Sequence, residues 1–250
     1  KKLSTDHDWR VRTATARSLA SFPPEKALPL LRKLCTDPES MARSVIAQSL
    51  TSLPPEVALI LLEKLSNDSN WTVRLGAAWG LANFPTEKAF LLLKKLSLDH
   101  SNNVRSAAAQ SLASFPSKKA LPILKKLSTH SDPYVRKAVA KSLASFPSEK
   151  ALPLLEKLST DPNEDVRLAV TEALTSFPSE KALPLLEKLS TDREDYIRQT
   201  AQNTLLSSFL PQLLQDAIVK EDHHRILNLL GKFPVVANCI KFEYDINPTP

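Results

Sequence analysis

Apolar positions along this chain fall on helical stripes, and the stripes recur. Residues 147–177 read PSEKALPLLEKLSTDPNEDVRLAVTEALTSF. In the first half, Ala151, Leu152, Leu154, Leu155 and Leu158 share one face at helical spacing and predict a helix A. In the second half, Val166, Ala169, Val170, Ala173, Leu174 and Phe177 follow the i, i+3, i+4, i+7 pattern and predict a helix B. The polar stretch between them supplies start signals for helix B. Asp161 suits the N-cap, Pro162 the first helical position, and Glu164 a capping box. No segment alternates with the period of a strand.

The unit repeats with a fixed period. Pro23, Pro54, Pro85, Pro116, Pro147 and Pro178 are 31 residues apart, as are Arg12, Arg43, Arg74, Arg105, Arg136, Arg167 and Arg198. A pair of helices this short cannot bury its apolar face alone, so the copies are expected to stack into a solenoid. The expected layout is a partial repeat over 1–22, six full repeats over 23–208, a helical cap over 209–231 and a partly ordered tail over 232–250. The cap reads as two helices, Phe209–Val219 and Asp222–Leu230, with Gly231 as a C-cap. The chain opens on KKLSTD, the tail of a helix A, which predicts at least one further helix upstream within a larger protein. Pro29, Pro122, Pro153 and Pro184 stand within helix A, so that helix either kinks at the proline or begins there.

The unit resembles the HEAT-repeat family, including the short HEAT-like repeats of phycobilisome bilin lyases. The match is an apolar helix A, an Asp, a Val-Arg six residues on, and an Ala-rich helix B. The resemblance implies an all-α, right-handed α-solenoid. It also implies an Asp–Arg ladder between adjacent repeats, carried by Asp6/Arg12, Asp37/Arg43, Asp68/Arg74, Asp99/Arg105, Asp161/Arg167 and Asp192/Arg198. His130 replaces Asp before Arg136, and Asp132-Pro133 is expected to shift the cap there. Phe-Pro stands where the lyase-like repeats carry glycine, which speaks against transfer of lyase activity.

The copies also differ from one another in an ordered way. Four helix-B columns vary in size and charge, at relative positions of about 0, 1, 4 and 8, which is one face of a helix. They hold Trp9, Arg10, Arg17, Met41, Gln48, Trp71, Leu75, Trp79, Gln110, Tyr134, Lys137, Lys141 and Tyr196. A packed face would not accept Arg, Trp, Glu and Gln at one site. In HEAT-like solenoids helix B lines the concave surface, so this stripe is the expected partner-binding face. Trp71, Leu75 and Trp79, at i, i+4, i+8, are its aromatic anchor, a residue class favoured at interface centres.

Composition narrows the chemistry. The 33 Lys+Arg against 27 Asp+Glu leave a formal charge of +6, but Glu164, Asp165, Glu172, Glu194 and Asp195 interrupt the basic part of the stripe. A nucleic-acid partner is therefore the weaker reading and a protein partner the stronger. Cys35 and Cys239 share no motif spacing and predict a reduced, cytoplasmic setting. No apolar run is long enough to span a bilayer. Three glycines cannot build a phosphate loop, and Asp222-His223-His224 point in different directions on a helix. The expectation is a non-enzymatic interaction scaffold or sensor module with no cofactor and no metal. A bilin-lyase-like enzyme subunit and a nucleic-acid-binding protein are the alternatives, and the oligomeric state is not legible.

Overall fold

A computed structural model describes residues 2–19 and 21–232; the tail expected over 232–250 lies, from 233 onward, outside the described residues. The chain divides into two compact units, 1–154 and 155–250. Among the described residues every regular element is helical.

The first unit alternates B and A helices. The B helices are α1 (Trp9–Leu19), α3 (Ser40–Ser49), α5 (Trp71–Leu81), α7 (Asn102–Ser111) and α9 (Pro133–Leu143). The A helices are α2 (Pro24–Leu34), α4 (Pro55–Leu65), α6 (Glu87–Leu96) and α8 (Ser117–Leu127), followed by α10 (Ser148–Leu158). Successive B helices lie side by side, α1 on α3, α3 on α5, α5 on α7 and α7 on α9. Their Ala-rich faces allow this, with Ala77, Ala78, Ala107, Ala108, Ala109 and Ala138 all buried. Leu62, Leu93 and Leu124 of the A helices close the core from the other side, together with Phe84, Phe115 and Phe146 from the Phe-Pro junctions.

Helix A begins upstream of its internal proline. Pro29 lies inside α2 and Pro122 inside α8, each removing one backbone donor without ending the helix. The C-cap of α2 is Cys35, and α4, α6 and α8 each end in a serine whose hydroxyl turns back onto a carbonyl three residues earlier. Ser66 donates to Glu63 at 2.8 Å, Ser97 to Lys94 at 2.7 Å and Ser128 to Lys125 at 2.8 Å. The start of helix B differs from expectation. Asp161 is not the N-cap; Asn163 is, and α11 begins at Glu164. Asp161 instead closes an Asx turn, its Oδ1 accepting the Asn163 N–H at 2.9 Å.

The second unit contains α11 (Glu164–Leu174), α12 (Ser179–Leu189), α13 (Asp195–Thr204), α14 (Leu210–Val219) and α15 (His223–Lys232). A π-helical segment, Leu205–Phe209, joins α13 to α14, so the expected break at Phe209 is bridged by helix. Leu210, Leu213, Leu214 and Ala217 of α14 are buried. The end of α14 is a Schellman motif: Asp222 N–H donates to Ala217 O at 2.9 Å and Glu221 N–H to Ile218 O at 3.0 Å. Glu221 takes the left-handed position at φ 52°. Gly231 lies inside α15 without a positive φ, so it is not the C-cap expected of it.

Candidate functional site

The turns hold the site's scaffold. Each ladder arginine reaches in two directions. Arg43 donates through one nitrogen to its own turn, at Asp37 O (2.6 Å) and Pro38 O (3.2 Å). Its Nε and a second terminal nitrogen grip the carboxylate of Asp68 in the following repeat at 2.7 and 2.9 Å. Arg12 and Asp37 pair the same way at 2.5 and 2.7 Å, and Arg74 and Asp99 at 2.7 and 2.8 Å. Arg167 grips Asp192 at 2.7 and 2.9 Å within the second unit. These are bidentate, charge-assisted contacts with little solvent access. Asp6, Asp161 and Asp192 offer their carbonyls to Arg12, Arg167 and Arg198. Arg136 donates to the carbonyls of His130 and Ser131 at 2.7 and 2.8 Å.

Burial alone would raise the Asp37 carboxyl. The Arg12 guanidinium and the Glu39 backbone N–H outweigh it and hold the group below the usual carboxylate range. Asp68, Asp99 and Asp192 are lowered by the same balance, against burial, by Arg43, Arg74 and Arg167. One rung of the first unit lacks its carboxylate. Arg105 donates to Asp99 O, but the position 25 residues on is His130.

With the turns fixed, the variable columns stand at the open edge of the B helices, except that the column of Leu75 and Lys137 is buried at Thr13 and Ser44. Trp71 is 42% exposed, Trp79 37% and Tyr134 66%. Met41, Arg10, Arg17, Gln48 and Lys141 are also exposed, while Trp9, Leu75, Gln110 and Lys137 are half-buried. Arg10 lies over the Trp9 ring, 5.4 Å from its centroid. Tyr196 is exposed on α13 of the second unit.

Six of these residues come together. A depression of about 290 Å³ runs across α5, α7 and α9, with Leu75 and Trp79 on one side, Gln110 in the middle, and Tyr134, Lys137 and Lys141 on the other. Ala107 and Ala138 are part of its lining, beside Asn103 and Ser106. The two alanines share one column, filled by small or medium side chains in every copy, so its composition did not mark them as site residues; Asn103 and Ser106 belong to the variable columns. Trp9, Arg10, Arg17, Met41, Gln48 and Trp71 lie outside this depression.

The position of α5 depends on two glycines. A Cβ on Gly76 would stand 2.5 Å from Ser44 O, and one on Gly80 would stand 2.6 Å from Ala47 O. Both glycines therefore let α5 approach the backbone of α3, and that approach sets where Leu75 and Trp79 emerge.

The family model for HEAT repeats matches residues 1–69, 58–132 and 123–205. The chain belongs to the HEAT-repeat family. Among solved structures, these HEAT repeats are similar to the Escherichia coli protein YibA, at 21% identity over 92% of that chain and 94% of this one, with a TM-score of 0.58. An engineered protein matches at 23% identity over 77% of its length and 92% of this chain, TM-score 0.48. A designed armadillo repeat protein in complex with the peptide (KR)4 matches at 25% identity over 97% of its length and 76% of this chain, TM-score 0.48. No curated protein matches the chain. Within the HEAT repeats no three His, Cys, Asp or Glu side chains among the described residues gather as metal ligands. Burial pushes the Cys35 thiol up to about 12, so it is a core residue rather than a nucleophile. No described helix is long and apolar enough to cross a membrane.

Proposed function

We propose that this chain is a non-catalytic, cytoplasmic interaction scaffold or sensor module, and that it binds a protein segment on its B-helix face. One observation carries this reading: three successive repeats place Leu75, Trp79, Gln110, Tyr134, Lys137 and Lys141 around one open depression. Large aromatics left in solvent beside amide and lysine side chains form the composition of a binding centre rather than of a core. Trp71 and Met41 extend the apolar surface along the neighbouring helices, and Arg10, Arg17, Gln48 and Tyr196 are the further contacts on this reading. The residues 209–231 serve as the cap that ends the stack. A bilin-lyase-like activity or a nucleic-acid partner has no comparable cluster in its favour.

The test is a selection of peptides from a random library on the whole chain, followed by affinity measurement. Selected peptides are expected to lose at least about tenfold in affinity for Trp79→Ala, as for a central aromatic anchor. Failure to enrich any peptide, or equal binding to Trp79→Ala, would end the proposal.

A further inference from the structure

The rung without a carboxylate lies between α7 and the turn that leads into α9. In that turn the His130 Nδ1 accepts the Asp132 backbone N–H at 3.0 Å, the role that Oδ1 of Asp99 plays for Ser101 at 2.9 Å. A neutral imidazole has one acceptor nitrogen, so nothing remains on that ring to receive Arg105. The Arg105 Nε is buried without a hydrogen-bond partner, as are Ser106 Oγ and Asn102 Oδ1 on the same helix. The charged groups acting on the ring are Arg105 from α7, Asp132 in its own turn and Arg136 from α9. Asp132 is already engaged, by Asn102 Nδ2 and by the N–H groups of Tyr134 and Val135 at 2.8 and 3.4 Å.

We propose that this rung is a proton-operated joint: protonation of His130 breaks the hydrogen bond inside the turn before α9, sets the turn's charge against Arg105 of α7, and so reshapes the depression that both helices wall. The functional weight of this joint rests on the depression being the binding site. A proton on Nδ1 turns the acceptor into a donor, which breaks the bond from Asp132 N–H and sets a second cation beside the Arg105 guanidinium. Tyr134, Lys137 and Lys141 follow directly on α9, so movement of its first turn moves one wall of the depression. Burial first, and the Arg105 charge next, lower the imidazole from its ordinary 6.5. The folded state therefore binds this proton more weakly than the unfolded chain. The rung's contribution is complete above pH 6.5 and is lost as the pH falls through the lowered folded value.

Amide hydrogen exchange of the whole chain between pH 8 and 5, corrected for the intrinsic rate, tests the joint. In the wild type, the amides of Asp132, Tyr134 and Val135 should lose about tenfold in protection toward pH 5, relative to amides 70–73 beside the intact Arg43–Asp68 rung. His130→Asp provides an acceptor at every pH in this range and gives Arg105 a carboxylate, so its profile should be flat. Parallel profiles in the two proteins, or a wild-type profile that stays flat, would overturn the joint. No ligand is added, so that failure leaves the binding proposal to be judged on Trp79→Ala alone.

Discussion

At the scale of single residues, position in the repeat decides cost. Trp79 is large, but its ring is partly in solvent and its column tolerates Arg, Gln, Lys and Glu in other copies. Trp79→Ala is therefore expected to leave helical circular dichroism and the melting temperature nearly unchanged while removing the binding anchor. Gly80, in the same helix, has the opposite character. Gly80→Ala forces a methyl against the Ala47 carbonyl and Leu62 Cδ2 at 2.7 Å, and should destabilise by about 1–3 kcal/mol through overpacking. Chemical denaturation of the two variants side by side checks both statements. The sequence showed that Trp79 varies between repeats, but not that Gly80 is required, because the neighbouring copies carry Ser49 and Ser111 in that column. Only the inter-helix distance shows the difference.

At the scale of helices, the period of 31 and the apolar stripes predicted an alternation of A and B helices without strands, and the described residues hold that alternation. Start and stop signals were less legible. Asp161 has the composition of an N-cap, yet in this turn its carboxylate closes an Asx turn and the cap moves to Asn163. The proline inside helix A left two readings open, and packing of the flanking Ala27 and Leu31 keeps α2 helical on both sides of Pro29. The fusion of α13 to α14 through a π segment has no marker in the sequence. Gly231, expected to end the second cap helix, lies inside α15, while the left-handed residue of this region is Glu221 after α14. Since a non-glycine residue at φ 52° is strained, Glu221→Gly should stabilise the second unit by roughly 1 kcal/mol, measured as a shift of its urea midpoint.

At the scale of the molecule, the ladder makes stability depend on acid. Asp37, Asp68, Asp99 and Asp192 each titrate below the usual carboxylate range. The unfolded chain takes up their protons first, so their contribution is present above about pH 4 and is lost as the pH falls through the folded values. Thermal melting should therefore fall steeply below about pH 4. Asp68→Asn should flatten one part of that fall while lowering the melting temperature at pH 7, because Arg43 then keeps a buried charge without its counterion. Which B-helix residues differ between copies was legible, with Trp71, Trp79 and Tyr134 among them exposed. Which residues meet around one depression was not, since that depends on how far apart three B helices stand.

The double reach of each ladder arginine gives the series a polarity. An arginine ties the loop of its own copy with one nitrogen and the loop of the following copy with the others. Truncating Arg43 should loosen its own loop and the following one, whereas truncating Asp68 should loosen its own turn, where it accepts the Asn70 N–H at 2.9 Å, and the hold of the preceding copy's arginine. A lesion at Arg43 would thus spread toward the later copy, and a lesion at Asp68 toward the earlier one.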